Sequence, residues 1–159
     1  MDDTRWLTPA QLSAWKKMVA VVEILPGILD TQLQHDAELT HFEYFTLAML
    51  SEAPERTLRM TSLASATNAT LPRLSHVVSR LEKRGYVERT PCEEDRRATN
   101  ATLTEGGWSK VVATAPGHVD TVRENVIAPL GDDDVAALDR TMSAILRQID
   151  PENRFRVNE

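Results

Sequence analysis

Apolar residues recur near the start of the chain at helical intervals: Leu12, Trp15, Val19, Val22, Ile28 and Leu29. The spacing predicts one long helix reaching roughly residue 35. Thr8-Pro9-Ala10-Gln11 opens it, with Thr8 as cap, Pro9 in the first turn and Gln11 closing a capping box. Pro26-Gly27 falls inside the pattern and is expected to kink or break it. Thr40-His41-Phe42-Glu43 repeats the capping signature and predicts a second helix as far as Glu52, stopped by Ala53-Pro54.

A short helix from Thr61 to Ala66 and the polar break Thr67-Asn68-Ala69-Thr70 come next. Thr70 then caps a helix from Leu71 to Arg84, with Pro72 in its first turn. Leu74, Val77, Val78 and Leu81 form its buried stripe, at i, i+3, i+4 and i+7. Gly85 is placed to end it in a left-handed conformation. Tyr86–Thr90 and Ala98–Leu103 read as two short strands around a turn from Pro91 to Arg97. Thr104 caps another long helix, which its glycines and Pro116-Gly117 should bend or interrupt. A last helix opens at Asp132-Asp133-Asp134, with Val135, Leu138, Met142, Ile145, Leu146 and Ile149 as its stripe. The tail beyond Asp150 is expected to fray.

Charge changes this picture. The chain of 159 residues carries a net charge of -6, which by itself argues against nucleic acid. The charge is unevenly spread: from Arg56 to Arg97 there are nine basic residues and five acids, a local +4 inside an otherwise acidic chain. Local charge decides whether a surface attracts phosphate. Arg73, His76, Arg80, Lys83 and Arg84 share an arc of roughly 100° beside the buried stripe.

A short helix, a polar turn, a basic-faced helix and a hairpin with arginines near its tip together describe a winged helix-turn-helix. The second helix of such a unit fits the DNA major groove, and the hairpin tip can place a guanidinium in the minor groove. The DNA-facing set is Thr70, Arg73, Ser75, His76, Ser79, Arg80, Arg96 and Arg97. Arg73 and His76 are directed at bases; Arg80, Lys83 and Arg84 either meet phosphate or stay solvated. A winged module that binds protein rather than DNA is the competing reading. No nucleophile motif, phosphate-cradling glycine loop or strong metal signature points to an enzyme.

RLEKRGYVER followed by EEDRRA and LTEGG resembles the MarR family of transcription regulators, and LTPAQLSAW, LRMTSLA and TAPGHV extend the likeness over nearly the whole chain. The resemblance implies a homodimer with intertwined terminal helices, bound to a near-palindromic operator, with repression as the expected outcome. It also implies that Asp95 steadies the wing through an ion pair while Arg97 reaches the minor groove. The apolar stripes at both ends agree independently, because one small lobe leaves them uncovered; packing within one chain is the alternative. The expected fold is therefore mainly α with a small β wing. Residues 1–36 form an N-terminal dimerisation helix, 37–104 the winged DNA-binding lobe and 105–159 the C-terminal dimerisation helices.

Members of this family commonly respond to small aromatic ligands, and Trp15, His41, Phe42, Phe45 and Trp108 are candidates to line such a pocket. Two rival sensors are open. Cys92 in the wing would be oxidisable if its thiolate were exposed. His35, Asp36, Glu38 and His41, with His118 folded nearby, include residue types that zinc accepts. No cofactor or metal is expected. The acidic, apolar-poor N-terminus is not a secretory signal and no run is long enough to span a bilayer. A single cysteine is consistent with the reducing cytoplasm.

Overall fold

The computed structural model describes residues 4–92, 95 and 97–155. Six helices and three strands follow in the order α1 (Pro9–Ala37), α2 (His41–Glu52), β1 (Thr57–Arg59), α3 (Met60–Ala66), α4 (Leu71–Lys83), β2 (Val87–Pro91), β3 (Thr99–Leu103), α5 (Glu105–Val122) and α6 (Asp132–Ile149). Thr8 with Gln11 and Thr40 with Glu43 close capping boxes, so each helix begins where its sequence satisfies the free N–H groups.

Of the two outcomes expected at Pro26-Gly27, a kink or a break, the break does not occur; the helix runs unbroken for 29 residues. A helix survives an internal proline when the packing of the rest of it outweighs the lost hydrogen bond, a cost of about 3 kcal/mol. Leu29, Leu33 and Ala37, all beyond the proline, are the buried residues of α1 and pack where it meets α2 and α5. Pro116 is likewise accommodated inside α5, which continues into a wider π-type turn over Arg123–Ile127.

The sheet holds three strands rather than two, ordered β1-β3-β2 and antiparallel throughout. β1 has only three residues between a proline turn and α3, too short to show an alternating pattern. It is fixed by pairing with β3, where the Thr57 and Thr102 hydroxyls meet at 2.8 Å. The core lies between the sheet and the helices of the lobe. Leu47, Leu63, Leu74, Val78, Leu81 and Ala101 are fully buried there, joined by Leu33 of α1 and Val111 of α5.

Two glycines are sterically required. Gly85 has φ +77°, the left-handed value that ends α4. At Gly107 a Cβ would meet the Tyr86 carbonyl oxygen at 2.1 Å, so α5 can approach the lobe only without a side chain there. Thr104 secures the same corner: its hydroxyl donates to the Gly85 carbonyl at 2.6 Å and accepts the Gly107 N–H at 3.0 Å.

α6 is strongly amphipathic yet has no buried residue. As far as Phe155, the last described residue, the chain after it does not simply fray. Asp150, itself buried, accepts from Arg154 Nε at 2.7 Å and from the Phe155 N–H at 3.3 Å. This turn brings the Phe155 ring to 6.3 Å from Phe45 of α2.

Candidate nucleic-acid interface

α4 organises the site. Thr70 accepts the Arg73 N–H through its hydroxyl, and Leu74, Val77, Val78 and Leu81 bury the inner face. At about 100° per residue the opposite arc carries Pro72, His76, Ser79 and Lys83. Pro72, His76 and Lys83 are exposed and Ser79 is half-buried. Arg73, Arg80 and Arg84 occupy one flank of that arc, and Leu71, Ser75 and Glu82 the other.

The arginine flank is engaged with the chain itself. Arg73 lies over the Phe42 ring, 4.4 Å from its centre. Arg80 donates from Nε to Glu43 Oε1 at 3.0 Å. Arg84 donates to the Glu38 carbonyl at 2.8 Å and lies over Tyr86. Arg80 is therefore not a freely solvated cation, as one of its two sequence readings held. Burial opposes ionisation of Glu43, but hydrogen bonds from the Thr40 N–H and Arg80 together outweigh it and hold the carboxyl below its usual value.

The opposite flank carries the wing. Glu82 accepts from Arg89 Nη2 at 2.6 Å, from its Nε at 3.1 Å and from its backbone N–H, which locks the base of β2 to α4. The Arg89 hydrogen bond is the main reason the Glu82 carboxyl is held low, with burial working against it. Beyond that lock, Ser75 and Leu71 share a cleft of about 210 Å³ with Arg89, Arg97 and Thr99. Arg97 is exposed, and its backbone N–H donates to Asp95 Oδ1 at 3.0 Å. Asp95 thus braces the wing turn through the backbone. Arg96 lies outside the described residues.

The aromatic candidates converge only in part. His41 and Phe42 line an open cleft of about 620 Å³ between α1, α2 and α4, together with Asp30, Arg73, His76 and Arg80. Phe45 stands beside it, stacked between His41 and Phe155. Trp15 is half-exposed on α1, and Trp108 packs beneath the Arg56 guanidinium against the core.

The rival sensors disperse too. Cys92 is buried, contrary to the exposed thiolate that oxidation would need, and its N–H pairs with the Ala98 carbonyl across the wing. His35 pairs with Asp36 on the surface, Glu38 forms the left-handed end of α1, and His118 packs on Tyr44 at 4.8 Å. Among the described residues no three His, Cys, Asp or Glu side chains converge on a metal-sized site. Burial lowers the pKa of both His41 and His118; Asp30 partly offsets this at His41, and His41 adds to it at His118. No helix among the described residues is long and apolar enough to cross a membrane.

Sequence reading missed Glu43, Glu82 and Arg89 as parts of the site. Glu43 was legible only as a helix-capping residue, and nothing local ties it to Arg80, 37 residues away.

Known proteins agree with this architecture. The MarR family model matches residues 39–99. Sco3205, a MarR family transcriptional regulator from Streptomyces coelicolor solved in complex with DNA, is 40% identical with a TM-score of 0.87, over 95% of this chain and 94% of that one. AbsC, a MarR family transcriptional regulator from the same organism, is 38% identical with a TM-score of 0.84, over 92% of this chain and 98% of that one. The HTH-type transcriptional regulator YdcH of Bacillus subtilis is 35% identical over 81 residues, which span 50% of this chain and 55% of that relative. These relatives are transcription regulators, not enzymes. With a winged lobe of this geometry and likeness along nearly its whole length, the chain belongs to the MarR family of transcriptional regulators.

Proposed function

We propose that the chain is a homodimeric repressor that binds a near-palindromic operator. The observation that carries this reading is the common cleft of α4 and the wing, where Ser75 and Arg97 lie together beside the exposed His76. Its likeness to Sco3205, a protein solved with DNA, supports the same reading. Thr70, Arg73, Ser75, His76, Ser79, Arg96 and Arg97 form the DNA surface. The α4 N-terminus reads bases in the major groove and the wing arginines enter the minor groove.

Residues 37–104 act as the DNA-binding lobe, and 1–36 with 105–159 as the dimerisation region. Support comes from apolar surface left uncovered by one chain: Val22 and Ile24 of α1 are each 61% exposed, Ile149 of α6 is 64% exposed, and no residue of α6 is fully buried. A second copy covers such a face and sets two lobes against two half-sites.

The cleft lined by His41, Phe42 and Arg73 is the site proposed for a small aromatic effector, with the ring against Phe42 and any acidic group near the cations. Trp15 and Trp108 have no part in it. Footprinting purified protein across a bacterial genome tests the whole reading. Protected sites with inverted half-sites are expected; the absence of any preferred sequence, or binding by a monomer, overturns it.

A further inference from the structure

Three arginines flank the exposed arc of α4, and they are held in three different ways. An aromatic face and a backbone carbonyl leave the positive charges of Arg73 and Arg84 in place. Arg80 instead meets a full negative charge at 3.0 Å. The Glu43 side chain is 7% exposed and that of Arg80 45%, so the acid is interior while the guanidinium reaches the cleft rim. Both Glu43 oxygens are occupied, one by Arg80 and the other by the Thr40 N–H at 2.9 Å. Arg80 stands one turn beyond His76, on the rim of the same cleft.

Resting on the DNA-binding reading above, we propose that Glu43 is a positioning residue for DNA recognition: it sets α4 against α2 through Arg80 and withholds the Arg80 charge from phosphate. A cation paired at this distance presents a small dipole to a phosphate, so it releases no counterion on binding. Phosphate contacts supply affinity without sequence information. Removing one cation per subunit from that account lowers binding to arbitrary DNA more than binding to an operator read through base edges. Glu43 thus raises the ratio of specific to non-specific affinity, and the α4 sequence overstates the charge that the helix offers.

The test measures binding of the full-length protein to a mixed-sequence duplex by fluorescence anisotropy over a salt series. Glu43→Gln keeps an acceptor for the cap and removes the charge that holds Arg80. Its plot of log affinity against log salt is expected to be steeper than wild type by about 0.9 per subunit. For a dimer, affinity then falls roughly twelvefold further than wild type between about 50 and 200 mM salt. Arg80→Gln is expected to keep the wild-type slope, because that charge is already withheld.

An unchanged slope in folded Glu43→Gln overturns the proposal. So does a slope in Arg80→Gln shallower by about 0.9 per subunit, which would put Arg80 on phosphate. Thermal melts establish folding, and Arg80→Gln decides the matter alone if Glu43→Gln does not fold. Wild-type protein that binds no duplex at low salt sinks the DNA-binding reading itself, a result distinct from either slope.

Discussion

The Arg73 guanidinium lies 4.4 Å above the ring of Phe42, so the first turn of α4 rests on the first turn of α2 through a cation–π contact. Such a contact orients a guanidinium without cancelling its charge. Arg73→Ala should weaken operator binding by about 1–3 kcal/mol and relax preference at one base position per half-site. Arg73→Lys should not restore it, because an ammonium lacks the planar stack and the paired donors. Titrations against operators with single base changes check both; full activity of the lysine variant would count against the stack.

Arg97 is exposed at the wing, with its N–H fixed by Asp95. Arg97→Ala should reduce DNA affinity at least severalfold while leaving the dimer intact. Asp95→Ala should give a smaller loss, since the turn loosens but the guanidinium remains. Gel shifts beside sizing chromatography distinguish lost contact from lost assembly.

His76 is exposed on the outer arc of α4, on the side nearer the arginine flank. His76→Ala should change the ranking of operators more than the general affinity. A uniform loss over unrelated sequences would make it a backbone contact instead.

The winged lobe was legible in sequence because its signals are local. Thr70, the stripe from Leu74 to Leu81 and Gly85 each act within a few residues, and the structure has the cap, the buried face and the left-handed stop at those positions. Relations between distant segments were not legible. Pro26-Gly27 was expected to kink or break α1, and packing of Leu29 and Leu33 by other helices keeps the helix unbroken. β1 owes its existence to β3, and Glu43 meets Arg80 only once α2 and α4 are packed. Trp15 and Trp108 stand apart from the other aromatic candidates for the same reason, since residue type cannot tell core packing at Trp108 from a cleft wall at Phe42.

Gly107 is an example of a local signal with a distant cause. Its missing side chain leaves room for the Tyr86 carbonyl and a Leu103 methyl. Gly107→Ala should destabilise the protein by about 1–3 kcal/mol, as overpacking does, and Gly106→Ala should cost less. The Gly106 position has 3.2 Å to its nearest neighbour. Thermal or urea melts of the two variants give the comparison.

His41 and His118 share the junction of α2 and α5, and burial depresses both pKa values below the usual 6.5. The folded state therefore prefers them neutral, and the unfolded chain binds protons first as acidity rises. Their contribution to stability is complete above pH 6.5 and is lost as pH falls from there through the lower folded-state values. The melting temperature should drop between about pH 7 and pH 5, and His118→Phe should flatten that drop while keeping a ring against Tyr44. Equal slopes for wild type and variant would remove His118 as the source.

An amphipathic 18-residue helix with no fully buried residue in its own subunit has a thermodynamic consequence. In isolation such a segment is only marginally helical in water, so in the dimer proposed above the order of α6 depends on how often two subunits meet. Melting temperature then rises with protein concentration, and dilution loosens the scaffold that spaces the two reading heads before either head unfolds.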